Sequence, residues 1–209
     1  SKMMRAASRH HGSRVGLTGL AGLAIVLSMG FVANRIATYD KEQQADAIVN
    51  QLLVARTDEV PAVLRELDPL KSQVVPRLHE LLLDPLTLPS ELFRARLALV
   101  TEDASQVEPL LAATGSLSVP ELDLVIEGLQ IHQAAAQQQL WSMVSSTNLP
   151  EDAWLRVVYT LTAFDDSSSK WQTYAERLCD SILNQNPTLV SQMAKVLARQ
   201  SAAIATPLL

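Results

Sequence analysis

From Val15 to Ala33 the chain reads VGLTGLAGLAIVLSMGFVA without one charged side chain. A helix rises about 1.5 Å per residue, so this run approaches the ~30 Å of a bilayer's hydrocarbon core, where a helix satisfies its own backbone polar groups. The expectation is a single transmembrane helix over 15–33. Lys2, Arg5, Arg9 and Arg14 precede it with no acid among them, whereas Arg35, Asp40, Lys41 and Glu42 follow it as a mixture. The positive-inside tendency then puts residues 1–14 in the cytoplasm and everything beyond the span outside, as a single-pass cell-membrane protein touching lipid through 15–33. Gly16, Gly19 and Gly22 would let a second helix approach closely and admit a homodimer, although glycine is common in spanning helices anyway. The main alternative for a basic start followed by an apolar run is a cleaved signal peptide. A cut after Ala33 would place bulky Phe31 where a small residue is wanted, which argues for retention.

The rest of the chain reads as helical. Residues are 48% hydrophobic but only 4% aromatic, an Ala/Leu-rich balance suited to helix packing rather than to strands. Net charge is −5, and the part after the basic head is more acidic still, which argues against a nucleic-acid partner because that calls for a basic stripe. A lone Cys179 excludes an intrachain disulfide and a Cys-rich zinc site, and its apolar neighbours Leu178 and Ile182 read it as a small core residue.

Apolar residues at three-four spacing mark successive helices. The stripe Ala45, Ile48, Val49, Leu52 and Leu53 belongs to a connecting segment over 34–57. Beyond it, Pro61 opens a helix, Pro76 kinks the next or marks its true start, Ser90 caps another, and Ser118-Val119-Pro120-Glu121 has the form of a capping box. The halves of 58–209 echo one another: Val60-Pro61 answers Val119-Pro120, Leu78 answers Leu140, Arg94 answers Arg156, Leu99 answers Leu161, and Asp103 answers Asp165. Offsets near sixty fit two helical hairpins of roughly thirty residues per period, stacked into a solenoid; a plain helical bundle with chance echoes is the alternative. A terminus at Thr206-Pro207-Leu208-Leu209, in the middle of what reads as a further helical unit, and a start at Ser1 suggest a fragment.

No catalytic residue, cofactor site or metal site is expected. His79-Glu80 begins like a zinc-protease helix, but Leu83 stands where the second histidine ligand is required. No nucleophile elbow, phosphate-cradling loop or kinase catalytic loop is present. Asp165 to Ser169 reads as a solvated turn capping the Trp171 helix. The one side-chain constellation singled out is structural: Arg94 with Asp103 and Arg156 with Asp165, each an arginine fork offered to a carboxylate that would brace its repeat.

A basic juxtamembrane segment, one spanning run, Ala45-Asp46-Ala47-Ile48-Val49 through Thr57-Asp58-Glu59-Val60-Pro61, and Phe93-Arg94-Ala95-Arg96-Leu97-Ala98-Leu99 together resemble the central region of membrane-bound serine/threonine protein kinases of planctomycete bacteria. The resemblance implies a HEAT-like helical region after the membrane helix and a kinase domain before it, with a formylglycine-generating-enzyme-like domain in some members. No kinase residue carries over onto this chain. The overall expectation is therefore an all-α chain, a single transmembrane helix followed by a HEAT-like α-solenoid of antiparallel helix pairs. It would act as a non-catalytic scaffold or sensor for a protein or peptide partner, or as the middle of a receptor-type kinase.

Overall fold

The structure is a computed structural model and describes residues 39–146, 148–165, 169–184 and 191. Every regular element among them is a helix. The chain divides into two compact units, Ser1–Ala47 and Ile48–Leu209. In the first, residues 39–47 are described; they are helical and bury Ala45.

The second unit begins with helical residues 48–54 (α1) and continues through α2 (Val60–Leu67), α3 (Lys71–Leu83), α4 (Pro89–Leu99) and α5 (Val107–Ala113). It goes on through α6 (Val119–Gly128), α7 (Gln133–Val144), α8 (Glu151–Thr162) and α9 (Trp171–Asn184). Helices α2, α4, α6 and α8 start at Val60, Pro89, Val119 and Glu151, steps of roughly thirty residues that fit a helical-hairpin repeat. Packing follows the same alternation. Helix α4 lies on α6 and α6 on α8, α5 lies on α7, and the hairpins α3/α4 and α7/α8 tie the two rows together.

Local chemistry explains where the helices begin. Proline occupies the first turn of α2, α4 and α6, where its missing N–H costs nothing. Glu91 reaches back to accept the Leu88 N–H at 2.9 Å, and Glu121 accepts the Ser118 N–H at 2.8 Å. The Ser118 hydroxyl donates to that same carboxylate at 2.6 Å. Ser90 lies inside α4 rather than capping it, and Pro76 lies inside α3 rather than at its start.

Burial reveals the register of the repeat. Val60, Val63 and Leu67 are buried in α2, and so are Leu122, Val125 and Leu129 about 62 residues later; Val74, Leu78, Ala95 and Leu99 are answered in the same step by Ala136, Leu140, Val157 and Leu161. Val60 thus corresponds to Leu122, and not to Val119 as the prolines suggest. Helix α6 starts one turn earlier in its repeat, so the two proline-marked starts do not superpose.

The expectation of a membrane-spanning helix, with a cytoplasmic head and an extracytoplasmic helical body, is not supported. The 15–33 run and its glycines lie outside the described residues, and among the described residues no helix is long and apolar enough to cross a membrane. Helix α3 has 13 residues and α9 has 14, against the ~20 apolar residues a span requires. Each also sets polar side chains opposite its buried stripe, Arg77 and Glu80 in α3 and Gln172 and Glu176 in α9, as helices packed on one face do.

Candidate functional site

The arginines singled out in the sequence hold equivalent places, but neither meets its expected aspartate. Arg94, on α4, donates from Nη1 to the Leu53 carbonyl at the end of α1, forty-one positions earlier in the chain. Arg156, on α8, donates from Nη1 to the Gly115 carbonyl at 3.2 Å, again forty-one positions earlier, and to Asp152 Oδ2 at 2.9 Å. Each arginine therefore closes the carbonyl end of a helical segment from the preceding stretch of the stack, satisfying an acceptor that the helix leaves open. The Arg156 pair also lowers the Asp152 carboxyl below the ordinary carboxylate range. Gly115 allows this closeness: a Cβ there would sit 3.1 Å from Ala153 Cβ.

The aspartates follow α4 and α8 at matching positions. Asp103 accepts the Ser105 N–H at 2.9 Å and the Gln106 side-chain amide at 2.8 Å, and these bonds lower its carboxyl pKa, with His79 Nε2 3.9 Å away. Asp165 is buried and accepts Trp141 Nε1–H and the Gln137 amide, each at 2.7 Å. His79 and Trp141 stand at matching places in the two repeats. The braces thus run from arginine to backbone; Asp165 reaches back to α7, whereas Asp103 bonds within its own turn, and the Arg–Asp pairs are not made.

The same register exposes a difference that opens a cleft. In the second repeat Tyr159 is buried and its hydroxyl donates to Asp123 at 2.6 Å, while Phe164 is buried close by in sequence. The first repeat has Leu97 for Tyr159, Pro61 for Asp123 and Glu102 for Phe164. There the side chains leave a cleft of about 270 Å³ between α2, α3, α4 and α6, floored by Leu67, Val74, Leu78 and Leu97. Its volume is near the lower end of ligand pockets, ~300–1,000 Å³, and suits one or two large side chains.

Charge gathers at the rim. Lys71 Nζ lies 2.9 Å from Asp68 and 2.8 Å from Glu102, and these partners, Glu102 foremost, raise its pKa. Gln133, the counterpart of Lys71, donates to the carbonyl of Phe164, the counterpart of Glu102, so the register holds across the cleft as well. Arg65 gives its Nε–H to the Pro61 carbonyl, and among the described residues neither it nor exposed Glu127 forms an ion pair. The C-terminal turns of α2, α4 and α6 and the first turns of α3 meet here.

A second, more polar hollow lies between the start of α8 and α9. Arg177 pairs with Glu151 at 3.0 Å and lies 4.2 Å over the Trp154 ring, and Ser181 bonds the same carboxylate. Arg177 first and Ser181 second hold the Glu151 carboxyl low. Elsewhere His132 Nε2 lies 2.8 Å from the Val100 carbonyl, tying two hairpins, and Cys179 is a half-buried free thiol. Among the described residues no group of three or more His, Cys, Asp or Glu is placed to hold a metal ion. Of the Asp165–Ser169 turn, 166–168 lie outside the described residues.

The cleft was missed in the sequence because it arises from volume left out, and no motif marks that. Setting Leu97 against Tyr159 in the register of Arg94 and Arg156 would have found it. No model of a known protein family, no curated protein and no solved structure matches the chain. The resemblance to planctomycete kinases accordingly rests on the quoted residues alone.

Proposed function

We propose that the second unit is a non-catalytic helical-repeat module that binds a protein or peptide partner, with the cleft between α2, α3, α4 and α6 as its docking point. One observation carries the reading: a repeat that closes its groove with two aromatic side chains stands beside one that leaves the same groove open. Stacked hairpins provide a rigid surface for such a pocket, since each helix is held by neighbours on both sides. A well-formed apolar hollow ringed by a few polar groups is the form that binding sites take. Side-chain anchors buried in hollows of this kind supply most of the free energy of protein recognition.

Selection from a displayed peptide library with the full 209-residue chain tests the reading. Enriched peptides should lose at least tenfold in affinity, ~1.4 kcal/mol, for the Ala98→Phe variant, which fills the cleft from a half-buried lining position. Thr101→Trp, at an exposed lining position, should do the same without touching the core. Peptides that bind both variants as tightly as the parent chain would place recognition elsewhere.

A further inference from the structure

The second repeat serves as a template for what the first lacks. Where Leu97 ends short, the matching position carries a tyrosine ring buried to within 3% of its surface, and where Glu102 turns outward, the matching position carries the buried ring of Phe164. The missing volume is therefore aromatic in size and lies on the same kind of apolar floor. Pro61 stands where Asp123 takes the tyrosine hydroxyl, so a ring entering the first repeat finds no matching carboxylate there and needs no hydroxyl of its own.

Electrostatics narrows the occupant further. Around the cleft the carboxylates of Asp68, Glu102 and Glu127 outnumber the cations of Arg65 and Lys71, and Lys71 is already engaged by two of the three. The C-terminal turns of α2, α4 and α6, which carry partial negative charge, line the cleft beside two N-terminal turns, those of α2 at Pro61 and of α3 at Lys71. A segment arriving with positive charge beside its ring meets a favourable field, whereas an acidic one is repelled.

We infer that the cleft receives an aromatic side chain, phenylalanine or a larger ring, carried on a basic stretch of a partner protein with lysine or arginine on either side of the anchor. The ring takes the place that Tyr159 fills from within the chain one repeat later, and the flanking cations face Glu127 and the C-terminal turn of α6. This inference rests on the docking reading above and adds the chemistry of the partner.

The test is a peptide array read by fluorescence anisotropy against the full chain. The central residue is phenylalanine, tyrosine, tryptophan, leucine or alanine, and the flanks are lysine, glutamine or glutamate. Lysine-flanked aromatic peptides should bind most tightly, with alanine at the centre costing at least tenfold and glutamine flanks severalfold. Glu127→Lys, an exposed change that leaves helicity intact, should weaken the lysine-flanked peptides severalfold and leave the glutamine-flanked ones unchanged; added salt should act in the same sense. Equal binding of lysine- and glutamine-flanked aromatic peptides, still abolished by Ala98→Phe, would overturn the basic partner and keep the docking site. Binding that ignores the central residue would overturn the aromatic anchor, and binding indifferent to Ala98→Phe and Thr101→Trp would overturn the docking site itself.

Discussion

The two repeats share a skeleton and differ in how completely they fill it. Their arginines reach carbonyls the same distance back in the chain, their aspartates follow α4 and α8 at matching positions, and Lys71 with Glu102 crosses the same gap as Gln133 with Phe164. On that skeleton the second repeat hangs Trp141, Trp154, Tyr159 and Phe164, all buried, where the first has His79, Leu92, Leu97 and Glu102. One copy is thereby a packed core and the other a surface with a hollow in it. Duplicated helical units let these roles separate, because each unit needs only its neighbours' faces to stay folded.

The comparison is broken most directly at its largest side chain. Trp154 is fully buried and donates Nε1–H to the Val144 carbonyl at 3.0 Å, whereas its counterpart Leu92 is half-buried. Trp154→Ala should cost ~3–5 kcal/mol of unfolding free energy by urea denaturation, and Leu92→Ala clearly less, ~1–2 kcal/mol for partial burial. Equal losses would mean that the first repeat is as tightly packed as the second. Next in size is Asp165→Ala, which strands the Trp141 and Gln137 donors in a buried place and should cost ~1–3 kcal/mol. The matching Asp103→Ala removes a capping acceptor at a more exposed site, so ~1 kcal/mol is expected of it by the same denaturation.

How much of this was open to sequence reading differs by kind of interaction. Apolar stripes at three-four spacing placed the helices, since Val49 and Leu52, Val74 and Leu78, and Trp154 and Val158 are buried where the periodicity puts them. The repeat was visible as a pairing of Arg94 with Arg156 and Asp103 with Asp165, yet the partners of these charges were not. Sequence proximity suggested a fork between residues nine apart, whereas stacking sends each arginine to a backbone carbonyl of an earlier element. Prolines misled the register of α2 against α6, because a proline reports where a helix starts and not which residues it buries. The cleft depended on that register, and so it was hidden. The uncharged run at 15–33 satisfied length and composition for a membrane helix; no helix among the described residues meets those criteria.

Two glycines sharpen the contrast between a filled and an unfilled repeat. At Gly115 a Cβ would meet Ala153 Cβ at 3.1 Å with the α8 backbone directly behind, so Gly115→Ala should cost ~1–3 kcal/mol by forcing α8 away from its neighbour. At Gly128 the nearest obstacle is Leu97 Cδ1 at 3.0 Å, the tip of a side chain that borders the cleft and has room to turn into it. Relief from glycine's conformational entropy, ~1 kcal/mol in a helix, then offsets the contact, and Gly128→Ala should leave the urea midpoint nearly unchanged. The same substitution should weaken peptide binding, since the displaced Leu97 takes up part of the hollow. A Gly128→Ala chain as destabilised as Gly115→Ala would show that no free volume adjoins Leu97.

The smallest expected effect is one of pH, and it too separates the repeats. Glu151 and Asp152, at the start of α8, owe their lowered carboxyl pKa values chiefly to the cations Arg177 and Arg156, while Asp103 owes its own chiefly to the neutral donors of Ser105 and Gln106. A carboxyl whose folded pKa is depressed contributes stability that is present above its unfolded value, 4.5 for Glu151 and 3.8 for Asp152, and is lost as pH falls through the folded value. Pro89 and Ser90 occupy the matching places in the first repeat and have no such dependence. Both α8 carboxylates are partly exposed, so solvent screening limits each pair to ~0.2–1 kcal/mol. Glu151→Gln should therefore flatten the loss of stability between about pH 5 and 3, and salt should shrink the difference between parent and variant. Asp103→Asn should flatten the same acid limb by an amount that salt shrinks less, because its main partners, Ser105 and Gln106, are neutral and only His79, 3.9 Å away, offers a charge for ions to screen. An identical salt response in the two variants would mean that the α8 carboxylates draw their stabilisation from hydrogen bonding alone.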